Sequence, residues 1–133
     1  HRGTEQILVS PPPKVIWSKM AVATSANIAY LLAHDEVGHW MYNPRSLVRL
    51  SLPKNGESIS NCTQTEILGH AALSNLVGGA FINELDGVSD DGNRLLLRLS
   101  LQDHTNAFGY SSYFTRKIYY YYPVENRLDE ILP

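Results

Sequence analysis

The stretch "KIYYYYPVENRLDEIL" (residues 117–132) places four tyrosines in a row directly before a proline and a short polar run. Tyrosine favours β-strands, and successive side chains of a strand point to opposite faces, so two of the rings belong to each face. Pro123 has no N–H to donate to a neighbouring strand, which predicts that the strand ends there and that "VENR" turns the chain. The stretch therefore predicts a strand that packs on both faces, a tight turn and a short final strand.

Parts of this stretch have counterparts earlier in the chain, at intervals of about 60 to 70 residues. In each copy a turn leads into an apolar strand, a long loop follows, and a second strand ends at a proline before a polar turn. The matching segments are "SANIAYLLA" (25–33) with "SDDGNRLLLR" (89–98), "VRLSLPKNGE" (48–57) with "IYYYYPVENR" (118–127), and the endings "TEQIL" (4–8), "QTEIL" (64–68) and "LDEIL" (128–132). Matches in the same order predict an internal repeat, with repeat one at about 14–68 and repeat two at about 76–132.

Both repeats have the sequence pattern of β-structure. The runs "IAYLLA" and "RLLLRLSL" are short, apolar and free of glycine and proline, and "SLVRLSL" alternates between apolar and polar residues. Four short antiparallel strands in about 60 residues describe one blade of a β-propeller. The predicted fold class is therefore all-β, with two four-stranded antiparallel blade-like repeats. The 133 residues (1–133) are expected to form a single domain or a propeller segment.

The segments "GVSDDGNRLLLRLS" (87–100) and "RKIYYYYPVENRLDEIL" (116–132) resemble a blade of the TolB-like and dipeptidyl-peptidase-type β-propellers. Blades of that kind read "SPDG", an apolar strand, a loop, "IYxxD", a turn and "xxLT". The sequence departs from this pattern at Asp90, where proline is usual, and at "SAN" (25–27), which replaces "SPDG" in repeat one. The resemblance implies a propeller fold but no catalytic residue, because in the peptidases the chemistry belongs to a separate hydrolase domain.

A small α+β domain is the alternative fold. In "TQTEILGHAALSNLV" (63–77) apolar residues fall on one helical face, and "MAVATSANIAYLLAH" (20–34) could also form a helix. Gly69 and the pair Gly78 and Gly79 argue against the first of these helices, and so does the internal repeat. This alternative predicts helices near 20–34 and 63–77.

Composition excludes several classes of partner and cofactor. The chain is 44% hydrophobic and 18% charged with a formal net charge of −2, and it lacks the clustered Lys and Arg that nucleic acid or an acidic membrane surface requires. No apolar run approaches the roughly 20 residues that span a bilayer. The single Cys62 is too little for a disulfide framework or a cysteine-based zinc cluster. We therefore expect no cofactor, no nucleic-acid partner and no membrane span.

Two local motifs could suggest a metal site. In "HDEVGHW" (34–40) the histidines are five residues apart, whereas the zinc-protease motif H-E-x-x-H places them four apart on one helical face. A loop that folds His34, Glu36 and His39 around a metal is the weaker alternative. "SDDG" (89–92) is too short for a calcium-binding loop and is typical of a tight turn. The sequence also has no G-x-S-x-G elbow for a nucleophilic serine.

The loops between the second and third strands of the two repeats are the candidate binding surface. In a four-stranded blade these loops open on the same side as the link to the next blade, and here both are long, at 34–45 and 101–115. Trp and Tyr are the usual anchors of protein interfaces, although the same aromatics could instead cap the ends of the sheets. The candidate binding residues are His34, Glu36, His39, Trp40, Tyr42, His104, Phe108, Tyr110 and Tyr113.

These patterns predict a binding module and not an enzyme. Its partner is expected to be another protein chain, because two blades alone leave an apolar sheet face and strand edges open. That chain would be a further copy, giving a homo-oligomer, or the remaining blades of a larger propeller. An inhibitor or a scaffold in the periplasm or outside the cell is a variant of this prediction. The alternative from another class is a hydrolytic enzyme domain that uses the loop histidines and carboxylates.

Overall fold

The computed structural model describes residues 15–35, 46–53, 63–105, 107–109, 111–112 and 115–131. Within these ranges the chain forms mainly β-strands, with one α-helix between the fourth and fifth strands. In chain order the elements are β1 (Val15–Ala23), β2 (Ile28–Asp35), β3 (Ser46–Ser51), β4 (Thr63–Leu68), α1 (His70–Val77), β5 (Ala80–Val88), β6 (Leu95–Leu101), β7 (His104–Thr105), β8 (Ser111–Ser112), β9 (Thr115–Tyr122) and β10 (Arg127–Glu130).

The strands form two four-stranded antiparallel sheets and one small hairpin. Sheet A has the order β1-β2-β3-β4, and sheet B has the order β5-β6-β9-β10, so each sheet is a meander. The hairpin of β7 and β8 lies within the connection between β6 and β9. The predicted pair of four-stranded antiparallel sheets is confirmed. β3 and β9, which the sequence repeat matches to each other, both occupy the third position of their sheet.

The tyrosine strand β9 has the two-faced character that its sequence predicts. Tyr119 and Tyr121 are buried in the core, while Tyr120 and Tyr122 are half-buried on the opposite face. β9 ends at Tyr122, and a turn that begins at Pro123 leads into β10. Pro123 therefore ends the strand as expected.

The main hydrophobic core lies between the two sheets. It joins buried side chains of β2, β3 and β4 to those of β5, β6 and β9, and Leu73 of α1 packs into the same cluster. Because one cluster includes both sheets, each sheet depends on the other to remove its apolar face from water. The members are Tyr30, Leu32, Leu47 and Leu68 from sheet A, and Ala80, Ile82, Leu85, Leu95, Leu97, Leu99, Tyr119 and Tyr121 from sheet B.

Sheet A is apolar on its other face as well, which we call the outer face of sheet A. Four buried residues form its centre, and Met20 and Val22 lie at its β1 edge, where they are 65% and 46% exposed. The central residues are Ala29, Leu31, Ala33 and Leu50, with Trp17, Val48 and Leu52 packed against them. This face has the composition of a packing surface and not of a solvated one.

Two tyrosine hydroxyls cross between the sheets in opposite directions. The hydroxyl of Tyr30, in β2, donates to the carbonyl oxygen of Gly92, just before β6, over 2.6 Å. The hydroxyl oxygen of Tyr121, in β9, lies 2.8 Å from Oδ1 of Asn126 and 3.3 Å from the carbonyl oxygen of Ile67, in β4. Each sheet thus hydrogen-bonds to the backbone of the other.

The turns at one end of the two sheets are in contact. The N–H of Ser25, in the β1–β2 turn, donates to the carbonyl of Asp90, in the β5–β6 turn, over 3.1 Å. β2 and β6 both start at this end, so the connections that follow them lie at the opposite end. We call that opposite end the loop end. The β7–β8 hairpin lies at the loop end because it follows the end of β6. The helix α1 lies there because it joins the end of β4 to the start of β5.

The alternative prediction of a helix near 20–34 is wrong. This segment forms most of β1, a turn at residues 24–27 and most of β2. Ala21 packs against the main core, whereas its neighbours Met20 and Val22 are exposed on the other face. This alternation with a period of two places the segment in a sheet, despite the helix propensity of its alanines.

The alternative prediction of a helix near 63–77 is correct only in its second half. Residues 63–68 form β4, and α1 covers His70–Val77. Gly69 is the N-cap of α1 and Gly78 is its C-cap, with a φ of 79° that glycine adopts readily. The glycines that argued against a helix therefore mark its two ends. No helix within the described ranges is long and apolar enough to cross a membrane.

Candidate functional site

Three of the predicted binding residues lie in the part of the chain that the structure describes: His34, His104 and Phe108. Among the described residues, no group of three or more histidine, cysteine, aspartate or glutamate side chains could hold a metal ion. The proposed metal alternative also needs Glu36 and His39, and it therefore stays a prediction. The binding residues outside the described ranges are Glu36, His39, Trp40, Tyr42, Tyr110 and Tyr113.

The structure places the three described residues on two elements near the loop end. His34 is half-buried near the end of β2, opposite Ile16 of β1. His104 is in β7, opposite Ser112, and Phe108 is in the turn of the same hairpin. His104 and Phe108 therefore belong to the same hairpin, while His34 belongs to sheet A.

The base of the β7–β8 hairpin is fixed by backbone hydrogen bonds. The N–H of Gln102 donates to the carbonyl of Gly79 over 2.8 Å, which ties the hairpin to the start of β5. The N–H of Asp103 donates to the carbonyl of Ser112 over 2.9 Å. The carboxylate of Asp103 in turn accepts a bond from the N–H of Thr115 over 2.9 Å, so both strands of the hairpin are held where they leave sheet B.

Phe108 is the large apolar side chain at the tip of this hairpin. It is 86% exposed, and the next residue, Gly109, has a φ of 84°. The left-handed conformation of Gly109 reverses the chain here and leaves the Phe108 ring on the surface. The described part of the predicted site thus offers one exposed aromatic ring on a fixed support.

The outer face of sheet B, the face turned away from the main core, is a second candidate surface, separate from the two loops that the sequence predicts as the binding site. Its residues alternate with the core residues of β6 and β9, so they share the opposite face. They are Arg94, Leu96, Arg98 and Ser100 from the β6 side, and Arg116, Ile118, Tyr120 and Tyr122 from β9.

Two arginines lie over the outward tyrosine rings. The guanidinium carbon of Arg94 is 4.8 Å from the ring centre of Tyr120, and that of Arg127 is 4.3 Å from the ring centre of Tyr122. Each contact is a cation–π interaction that covers part of the ring while the charge stays hydrated. Within the described residues, arginines thus cover the face of β9 where the sequence led us to expect a second packed sheet.

A groove runs across the loop-end half of the outer face of sheet B, where β5, β6 and β9 lie side by side. Its volume is about 520 Å³. A β-bulge between Ile82 and Glu84 shifts the register of β5 against β6 and forms one wall. The lining residues are Asn83, Glu84, Arg98, Arg116, Lys117 and Ile118.

The charged residues of the groove differ in how they are paired. Nε of Arg98 donates to Oδ2 of Asp86 over 2.7 Å, and Nζ of Lys117 donates to Oε1 of Glu130 over 2.8 Å. The second contact raises the pKa of Lys117, because the Glu130 carboxylate hydrogen-bonds to the ammonium form and attracts it.

Glu84, the acidic residue of the groove, pairs with Lys19 of β1 over 3.4 Å. Arg116, by contrast, forms no ion pair with any residue that the structure describes. Among the described residues that line the groove, Arg116 is therefore a cation without a paired carboxylate.

A signal for this surface is present in the sequence. Every second residue of a strand lies on the same face. This alternation along β6 and β9 places Arg94, Arg98 and Arg116 on one face, together with Tyr120 and Tyr122. The leucines of "RLLLRLSL" dominate its pattern and predict an apolar strand, so the four-residue spacing of its arginines is a weaker signal. The bulge that opens the groove in β5 has no comparable signal in "FINELDG".

Comparison of the chain with family models, with curated proteins and with solved structures gives no match. Its function must therefore be inferred from its own surfaces.

Proposed function

We propose that this chain is a protein-binding module of the β-propeller type that holds its partner through the loop end. The observation that carries the proposal is Phe108, a large apolar ring that is 86% exposed at the tip of an anchored hairpin. Aromatic side chains are frequent interface anchors, because covering one ring removes a large apolar area from water. A hairpin already fixed at its base loses little conformational freedom on binding, which favours affinity.

The propeller part of the proposal is supported by the arrangement of the sheets. Two adjacent blades of a propeller are four-stranded meanders that pack face to face, and sheets A and B have this topology and contact. The partner would be another protein chain, either a second copy or the remaining blades. The exposed Met20 and Val22 at the edge of sheet A suit such an addition, because they extend an apolar face.

Self-association of the isolated chain tests the version of this proposal in which the partner is a second copy of the chain. Light scattering over a range of concentrations should give a mass above the 14.9 kDa of one chain. Phe108→Ser should weaken association at least about tenfold, since burying a phenylalanine contributes about 1.5–3 kcal/mol. The expected result is a mass that falls toward that of the monomer at concentrations where the wild type is associated.

Val124→Ser is the matched control for this measurement. Val124 is 82% exposed in the β9–β10 turn, at the end opposite the hairpin. This variant should associate like the wild type. Equal association of Phe108→Ser and the wild type would place the interface elsewhere. A chain that stays monomeric at every concentration would exclude the second copy as the partner.

A further inference from the structure

We propose that the groove on the outer face of sheet B binds an acidic, extended segment of a partner protein. Arg98 and Arg116 would hold two of its carboxylates, and Ile118 would take an apolar side chain beside them. This site is separate from the hairpin that carries Phe108, so the inference goes beyond the proposed function and does not rest on it.

The charge of the lining selects an anionic ligand. The outward-facing charged side chains of the lining are the cations Arg98 and Arg116 and the carboxylate of Glu84, which is already paired with Lys19. Arg116 has no ion-pair partner among the described residues. A carboxylate placed between Arg98 and Arg116 would therefore gain an attraction that no described carboxylate uses at Arg116.

The arginines also have donors to offer. A guanidinium carries five N–H groups in a planar fork that matches a carboxylate. The hydrogen bond of Arg98 to Asp86 uses its Nε and fixes the plane of the side chain. The donors on its two terminal nitrogens remain, and those of Arg116 have no carboxylate acceptor in the described ranges.

The spacing of the two arginines favours an extended peptide. Arg98 is opposite Ile118, and Arg116 is opposite Ser100, so the two arginines are diagonal neighbours on adjacent strands. Diagonal neighbours are about 7–8 Å apart. Side chains at positions i and i+2 of an extended peptide lie on one face and are about 7 Å apart, so two acidic residues at this spacing match the pair.

The apolar part of the groove separates a peptide from a simple inorganic anion. Ile118 is 41% exposed and lies beside Arg98, so a ligand that covers it gains a hydrophobic contact as well as charge pairing. An acidic peptide that also carries an apolar side chain offers both groups. Phosphate or acetate offers only the charge.

The carboxylates around the groove make nucleic acid the poorer occupant. Asp86 and Glu84 stand within or beside it and already hold partners of their own. A phosphate backbone would bring a row of charges past both. A peptide segment brings only two or three charges, which it can place on the arginines alone.

Fluorescence anisotropy with a labelled synthetic peptide tests the proposal directly. The probe repeats Glu-Ser-Glu-Ser-Leu-Ser, which puts two carboxylates and one leucine on the same face when it is extended. It should bind at least about tenfold more tightly than the same peptide with Gln in place of Glu, and its affinity should fall as salt is raised. Equal affinity for both peptides would overturn the proposal.

Arg116→Gln is the decisive variant, because Arg116 is exposed and its replacement breaks no ion pair among the described residues. It should weaken peptide binding about tenfold, the usual effect of losing one charge-assisted hydrogen-bond partner. Arg127→Gln is the charge-matched control. Arg127 is on the same sheet, opposite Tyr122 and about 20 Å along β9 from Arg116, and its loss should change affinity less than about twofold.

Three further results would also overturn the proposal. Equal losses for Arg116→Gln and Arg127→Gln would mean that the peptide senses only overall charge. A single-stranded oligonucleotide that displaces the peptide at a lower concentration than unlabelled peptide would make nucleic acid the occupant. Inorganic phosphate that competes as well as the unlabelled peptide would mean that the groove binds anions without recognising a peptide.

Discussion

Gly92 joins the two sheets at a position where a side chain would be crowded and strained. Its carbonyl oxygen accepts the hydroxyl of Tyr30, and its φ is 78°, in the left-handed region that favours glycine. A β-carbon at this position would lie 3.3 Å from that of Ala23, closer than ordinary contact. Two separate costs, one of backbone conformation and one of packing, therefore oppose any replacement.

Gly92→Ala should lower the free energy of unfolding by about 1–3 kcal/mol from the left-handed conformation alone, with a further loss from the contact with Ala23. Gly109→Ala separates the two costs, because Gly109 has a similar φ of 84° but nothing within 4 Å of its added β-carbon. Chemical denaturation of both variants measures the difference. If Gly109→Ala proved as destabilising as Gly92→Ala, the close approach between the sheets would have no energetic importance.

Asp91 shows why "SDDG" forms a turn. Its Oδ1 accepts bonds from the Ser89 hydroxyl at 2.7 Å and from the N–H of Asn93 at 3.0 Å. These bonds, the one from Asn93 first, lower the pKa of the Asp91 carboxyl, because both favour its charged form. The sequence predicted this turn from its residue types alone. It could not predict that the turn docks on the opposite sheet, because that contact depends on Tyr30, more than 60 residues away.

At the scale of elements, β2 and β9 each carry a tyrosine that reaches across to the backbone of the other sheet. Burial raises the pKa of Tyr30 and of Tyr121 above the usual value of 10.0, although the nearby Arg49 partly opposes this for Tyr30. A folded-state pKa above the unfolded one means that the folded protein holds the phenolic proton more tightly. The resulting stability is complete below about pH 10 and is lost as the pH rises through the folded pKa values.

We therefore expect the free energy of unfolding to fall steeply above about pH 10, as measured by denaturation at a series of alkaline pH values. Tyr30→Phe should cost about 1 kcal/mol at neutral pH, because the carbonyl of Gly92 loses its donor. The same variant should lose less stability between neutral and alkaline pH than the wild type. An unchanged alkaline slope in Tyr30→Phe would show that this phenol does not control the transition.

The elements themselves differ in how far the sequence predicts them. The strand periodicity and Pro123 define β9 and its end, because the signals are local. Residues 63–77 carry a strand signal and a helix signal at once, and nothing in the pattern divides them into β4 and α1. Gly69 and Gly78 argue against a helix by residue type, yet they cap a helix of about two turns. The groove depends on a β-bulge, which leaves no clear pattern in the residues of β5.

At the scale of the whole molecule, the shared core predicts that the two sheets unfold together. Leu47 of sheet A and Leu97 of sheet B are both fully buried in the same cluster. Replacing either by alanine should cost about 2–5 kcal/mol. Each variant should shift one common transition, so that Leu97→Ala destabilises sheet A as much as sheet B.

A Trp40→Phe background makes Trp17, in β1, the single tryptophan and thus a reporter of sheet A. Denaturation followed by Trp17 fluorescence and by far-ultraviolet circular dichroism should give coincident curves, and both should move together in Leu97→Ala. A tryptophan transition that stays in place in Leu97→Ala would mean that the two sheets are independent units.

The two outer faces of the pair of sheets differ in composition, so a further sheet would not pack equally well on both. The outer face of sheet A is built from leucine, alanine and valine, while that of sheet B presents arginines and half-buried tyrosines. A further sheet can be added against the first at a gain in hydrophobic energy, but against the second only by stripping water from several guanidinium groups. We therefore expect a further sheet to stack on the outer face of sheet A more readily than on the outer face of sheet B.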